Sequence, residues 1–292
     1  MSKPHPADAP AVTPQLLREW PLPTPDDEGT KQARGTVLVV GGAISTPGAV
    51  LLAGLAALRV GAGRLQIATV AETAVALGVT VPEAMVVGLP TAKSGSISPS
   101  AVDTLTDLAD EDTTLVLGPG LLNDDDTRGL VRSLLPRVSC ARLVIDAHAL
   151  TALAEREELL GEREAVVLTP NDDELAALLG GDELTGREGA LEVAQRYEAA
   201  VATKGWAAMP DGRAWRDEAG GVGLGTSGSG DVLAGAIGGL LARGAEPAQA
   251  AVWGQYAHAA AGDRLAARLG RLGFLAREIL DELGPVLTSL ST

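Results

Sequence analysis

Gly225-Thr226-Ser227-Gly228-Ser229-Gly230-Asp231-Val232-Leu233-Ala234-Gly235 joins small, flexible residues to one carboxylate and to an apolar helix pattern that runs to about Gly244. Glycines ahead of a helix leave several N–H groups pointing out of its first turn, where they can surround phosphate oxygens. Asp231 then stands where a transferring phosphoryl group would sit, and a carboxylate there can take the proton of an attacking hydroxyl. The same residue types also serve as ordinary helix caps, so the other chemistry-bearing residues must decide between the two readings.

Thr169-Pro170-Asn171-Asp172-Asp173-Glu174 follows a strand pattern and opens a helix. Asn171 and Glu174 share one face of its first turn and offer oxygen ligands suited to a Mg²⁺ that also binds phosphates. They equally fit a capping box. Two glycine turns, Gly41-Gly42 and Gly118-Pro119-Gly120, close apolar runs and allow a ligand close to the backbone, or simply make tight turns. Asp146 ends the run Leu143-Val144-Ile145, facing a crevice or capping the next helix. Lys204, one of four lysines in the chain, ends another run with Gly205 and could lie beside a nucleotide phosphate or in solvent. His148 and His258 have no partners at metal-ligand spacing and read as packing or surface residues.

These residues need a scaffold, and the hydrophobic pattern supplies one. Strands are expected at 36–40, 64–69, 84–87, 114–117, 142–146 and 165–168, each followed by a turn and usually a helix. The repeated β-α order predicts an α/β three-layer sandwich, a mostly parallel sheet with helices on both faces and sites at the carboxyl ends of the strands. Segments 200–204, 206–210 and 213–217, with Asp211-Gly212 as a turn, are expected as antiparallel edge strands. Helices are expected over 13–20, 228–243, 247–269 and 274–289, the last two burying apolar faces against each other or against a second copy of the chain. Residues 1–12, rich in Pro and Ala, read as a disordered tail, and 13–292 as a single domain.

Composition narrows the partners. Acidic residues outnumber basic ones 38 to 23, a net charge of −15, the wrong sign for an electrostatic nucleic-acid binder. Phosphates must therefore be held by local devices: backbone amides, a metal ion or a single lysine. Cys140 is the only cysteine, which leaves no intramolecular disulfide. No signal pattern or membrane-length apolar run is present, so a cytoplasmic enzyme acting on small molecules is expected.

Taken together, the motifs resemble the ribokinase-like superfamily, and within it the ADP/ATP-dependent NAD(P)H-hydrate dehydratases. The resemblance rests on Val37-Leu38-Val39-Val40-Gly41-Gly42 with Gly48-Ala49, Ala57-Leu58-Arg59-Val60-Gly61-Ala62-Gly63, Leu117-Gly118-Pro119-Gly120-Leu121, Asp146-Ala147-His148-Ala149-Leu150, Leu168-Thr169-Pro170 and Gly228–Gly235. It spans the chain from about residue 13 onward and resembles the stand-alone form, without a fused epimerase domain. It implies repair of hydrated, redox-inactive NADH or NADPH, with ADP as phosphoryl donor and Mg²⁺ on its diphosphate. By the same resemblance Asp231 is the base, and Ala49, Gly120, Asn171 and Asp231 bind the hydrated dinucleotide. Lys204, Gly205, Trp206, Ala207, Ala208, Gly228, Ser229 and Gly230 line the donor site, while Asn171 and Glu174 hold the metal.

The chain also departs from the family pattern. Asn171 stands where the family usually has His, and Asp173 where it has Gly. Thr30-Lys31-Gln32 replaces a His-Lys-Gly, and Leu121-Leu122 lacks a second Gly. Asn171 is the residue carried there by small-molecule kinases of the superfamily, which keeps an ATP-dependent kinase as an alternative. A non-catalytic nucleotide-binding module is the other.

Overall fold

The computed structural model describes residues 9–24, 31, 33–154, 156–163, 165–182 and 184–290. Among the described residues nine strands form one sheet: β1 Thr36–Val40, β2 Arg64–Val70, β3 Ala84–Leu89, β4 Thr113–Leu117, β5 Arg142–Ile145, β6 Ala165–Leu168, β7 Ala200–Thr203, β8 Trp206–Ala208 and β9 Ala214–Arg216. Their order is β3-β2-β1-β4-β5-β6-β7-β8-β9. Strands β1 to β7 run parallel, and β8 and β9 close the edge antiparallel. The α/β three-layer expectation holds, with strand ends displaced by one or two residues.

The helices are α1 Pro14–Glu19, α2 Gly48–Arg59, α3 Ala71–Thr80, α4 Val102–Leu108, α5 Asp125–Leu134, α6 His148–Leu153, α7 Asp172–Leu178, α8 Gly186–Arg196, α9 Ser229–Ala242, α10 Pro247–Leu269 and α11 Ala276–Leu290. Near-continuous runs of Val, Leu and Ile build the central strands because both sheet faces are covered. Side chains alternate between two cores: Val37, Val39, Val116 and Val144 pack under α2, α9, α10 and α11. Leu38, Val40, Leu115, Leu117 and Ile145 pack on the opposite face against α5, α6, α7 and α8.

Small residues set how closely α9 approaches its neighbours. A Cβ on Gly235 would lie 2.0 Å from the Ala53 carbonyl oxygen, and one on Gly239 2.6 Å from that of Ala57. Another on Gly238 would lie 2.3 Å from Val116. These glycines fix the height and rotation of α9 over β4 and α2, and so the position of its first turn.

The expected tail is corrected at its end. Residues 1–8 lie outside the described residues, but Ala11 bridges Arg216 in parallel. Val12 donates its N–H to the Arg216 carbonyl at 2.8 Å and is buried. The exposed edge of β9 offered unpaired backbone groups, and this segment takes them up. The Asp211-Gly212 turn forms as expected, with Met209 donating to Arg213 at 2.9 Å and Gly212 at φ +91°.

Candidate active site

Strand order reverses between β1, which leads outward to β2 and β3, and β4, which leads the other way through β5 to β9. Such a switch point opens a crevice at the carboxyl ends of its two strands. Both glycine turns lie there and interlock. Gly42 donates to the Pro119 carbonyl at 2.8 Å, and the Thr46 hydroxyl donates to the Gly120 carbonyl at 2.6 Å. Gly120 has φ +72°, and a Cβ there would fall 2.7 Å from the Ala49 Cβ. The fold therefore brings Ala49 and Gly120 together from 71 residues apart.

One strand further, a Cβ on Gly118 would collide with the Asp146 carbonyl oxygen at 1.9 Å. Asp146, 5% exposed, ends β5 with its carboxylate accepting the Thr169 hydroxyl at 2.8 Å. Burial, and next the charge of Asp231, push its carboxyl up to about 8. The next residue, Ala147, has φ +50°, a conformation that costs a non-glycine residue about 1–3 kcal/mol.

Asp231 lies in the first turn of α9, half-buried. Burial first and the charge of Glu174 second push its carboxyl up to about 6. Glu174 is itself raised, mainly by burial, against the opposing effects of the Asn171 N–H and of His148. Asp146, Glu174 and Asp231 thus act on one another across one crevice, although among the described residues no group of acidic, His or Cys side chains converges as a ready-made metal cage.

Gly228, at φ +87°, caps α9 with a left-handed turn. A Cβ there would meet Leu52 of α2 at 2.5 Å and approach the Asp231 carboxylate at 3.7 Å, so only glycine lets the loop close over α2. A Cβ on Gly230 would meet nothing within 4 Å, leaving room beside the turn. Among the described residues, the N–H groups of Gly228, Gly230 and Asp231 have no backbone acceptor outside the helix.

Ser229 departs from its expected role. Its N–H donates to Thr226 at 3.2 Å, and its buried hydroxyl pairs with Nε2 of His258 at 2.9 Å. Burial pushes that imidazole down to about 4, so His258 is a neutral packing residue, as its helix context suggested. The hydroxyl of Ser229 braces α9 against α10, and its N–H closes the turn that leads into α9.

Asn171 and Glu174 form the capping box: Asn171 Oδ1 accepts the Glu174 N–H at 2.9 Å, and Glu174 Oε2 accepts the Asn171 N–H at 2.9 Å. The Asn171 oxygen is committed to the helix end, whereas Glu174 retains a second carboxylate oxygen. That donor chemistry suits a hard cation anchored by Glu174 and otherwise held by water and phosphate.

At the end of β7, Lys204 and Gly205 form the turn into β8, with Lys204 exposed and Gly205 at φ +73°. Two strand spacings separate it from Asp146, about 10 Å. Trp206 is half-buried. Ala207 and Ala208 are 3% and 1% exposed, lie on opposite sheet faces and are paired on both sides by β7 and β9. Their side chains are core, and β8 carries them away from the site edge, so the turn is the part of this segment that can meet a ligand.

Sequence reasoning left Asp146 undecided, named Thr169 within a motif without giving it a role of its own, and set His148 aside. The structure places all three at the β5–β6 end of the crevice. The available signal was position: a polar residue directly after a fully apolar strand points at the carboxyl edge.

The NAD(P)H-hydrate dehydratase family matches residues 37–285. An ADP-dependent (S)-NAD(P)H-hydrate dehydratase of Xanthomonas campestris is 44% identical over 288 residues, 96% of each chain. A bifunctional NAD(P)H-hydrate repair enzyme of Moorella thermoacetica is 40% identical over 92% of this chain, which spans 52% of that relative. Among solved structures, an ADP/ATP-dependent NAD(P)H-hydrate dehydratase from Bacillus subtilis, co-crystallized with ATP and Mg²⁺, superposes with a TM-score of 0.82 at 31% identity, covering 97% of this chain and 99% of that one. On the strength of these matches, which run the length of the crevice-bearing sheet, the chain belongs to the NAD(P)H-hydrate dehydratase family.

Proposed function

We propose that this protein repairs hydrated NADH and NADPH by ADP-dependent dehydration, releasing AMP and phosphate. A ring hydroxyl is a poor leaving group at neutral pH, and phosphorylation makes it a good one. Asp231 takes the hydroxyl proton as the oxygen attacks the terminal phosphorus of ADP and the bond to AMP breaks. With its carboxyl near 6, Asp231 is ionised at neutral pH yet basic enough to accept a proton. The ring nitrogen then pushes out phosphate, and loss of a proton from the adjacent carbon restores the double bond.

Free amides at Gly228, Gly230 and Asp231 offer donors to the charge that develops on the transferring group. Ala49 and Gly120 shape the dinucleotide side of the crevice, and the Lys204–Gly205 turn receives the donor nucleotide. Mg²⁺ bound with the donor, anchored through Glu174, would neutralise diphosphate charge in a chain of net charge −15. The reading places the enzyme in the cytoplasm, as a single domain working on small nucleotides and not on nucleic acid.

The observation that carries this reading is Asp231: a half-buried, proton-ready carboxylate at the mouth of an amide-lined turn. Incubation with hydrated NADH, Mg²⁺ and either ADP or ATP tests it. Return of dihydronicotinamide absorbance matched by AMP release is expected. A stable phosphorylated product with no absorbance would instead identify a kinase, and nucleotide binding without turnover a non-catalytic module.

A further inference from the structure

His148 follows Asp146 by two residues at the end of β5, beyond the strained Ala147. Its Nδ1 is buried with no hydrogen-bond partner among the described residues, while the residue as a whole is only half-buried, so the Nε2 edge is the part of the ring left open. With Nδ1 sealed off, Nε2 is the nitrogen whose N–H the ring can offer to a ligand. The imidazole also lies near enough to Glu174 to act electrostatically on that carboxyl, which places it beside the groups that surround Asp231.

Nothing in the protein accounts for this arrangement. A surface histidine would wet both nitrogens, and a packing histidine would pair its buried one, as His258 does with Ser229. Ala147, the residue before it, holds φ +50°, and backbone strain of this kind clusters at functional sites. The Oδ1 of Asn171, at the start of α7, is committed to its helix cap.

We propose that His148 is a substrate-binding residue whose Nε2–H donates a hydrogen bond to the carboxamide oxygen of the hydrated nicotinamide ring. This rests on the dehydratase reading for the identity of the ligand. The amide oxygen is a strong acceptor on that ring and carries no charge, which suits a crevice already lined by the carboxyl groups of Asp146, Glu174 and Asp231. The bond orients the ring so that its hydroxyl faces Asp231.

The test uses the whole chain. His148→Ala is expected to raise KM for hydrated NADH about tenfold, the worth of one hydrogen bond, and to leave KM for ADP unchanged. His148→Gln, which keeps an N–H donor, should recover much of that loss. Imidazole ¹⁵N spectra give an independent readout, because the chain has only three histidines. With hydrated NADH and AMP, which cannot react, the His148 signals should shift and those of His258 should not.

If the wild type turns over but His148→Ala leaves KM for hydrated NADH unchanged and the His148 signals stay still, the contact is refuted while the activity stands. If the wild type is inert but the His148 signals shift, the contact stands and the activity is refuted. Inert protein with unmoved signals refutes both.

Discussion

Replacing Asp146 with Asn isolates the cost of a carboxylate kept inside the crevice. In the folded protein its carboxyl is pushed up to about 8 by burial and by the neighbouring charge of Asp231. In the unfolded chain it titrates near the ordinary value of about 3.9. The folded state therefore holds a proton that the unfolded state has released across that interval, and stability falls as pH rises through it. The contribution is greatest below about pH 4 and levels off above about pH 8. Between pH 5 and 7.5 the two titrations differ by about 3 kcal/mol of lost stability.

Asn copies the protonated acid in shape and keeps an oxygen for the Thr169 hydroxyl, which now donates at 2.8 Å. The urea midpoint of Asp146→Asn should therefore exceed that of wild type by about 1 M more at pH 7.5 than at pH 5. Urea titrations followed by circular dichroism at the two pH values measure this directly. Parallel losses of stability in both proteins would show that Asp146 is ionised in the folded state, and the account of the crevice as a low-solvation site would fail.

Three further outcomes follow from the same geometry. Asp231→Asn should lower turnover by about 10²- to 10⁴-fold while leaving ADP affinity nearly unchanged, because the turn that binds phosphate is backbone; single-turnover kinetics and ADP titration separate the two effects, and near-normal turnover would remove Asp231 from the role of base. Glu174→Gln keeps an oxygen for the Asn171 N–H but removes a negative neighbour from Asp231, so ionisation of Asp231 becomes easier and the acidic limb of the kcat/KM profile should move below about 6. An unmoved limb would contradict the electrostatic coupling. Gly235→Ala should destabilise by about 3 kcal/mol or more in urea titration, since its Cβ would sit 2.0 Å from the Ala53 carbonyl with no flexible side chain to yield; a change below about 0.5 kcal/mol would mean that α2 and α9 can separate freely.

Much of this protein was legible in its sequence, for reasons that are local. Apolar runs of four to seven residues between helix-period segments gave the strands β1 to β6. A run covered on both faces must be apolar throughout, and parallel pairing needs the intervening helices. The glycine turn before α9, the capping box at Asn171 and the Asp211-Gly212 hairpin were readable because each depends on a backbone conformation that few residue types allow. Only two of these helix-start signals carry chemistry as well as structure, and sequence could not divide the roles.

Tertiary structure made that division. Ser229 sits in the motif yet turns inward, because α10 places His258 beneath it. Ala207 and Ala208 are core because α10 and α8 cover the two faces of β8, contacts between segments distant along the chain. Asp146 could be a cap or a crevice residue until β4, β6 and α9 met around it and took it out of water. His148 looked like any half-buried ring until the fold left its inner nitrogen unpaired. Backbone preference belongs to a few neighbouring residues and can be read along the chain. Solvation and charge belong to everything within a few ångströms, and chain folding alone chooses those neighbours.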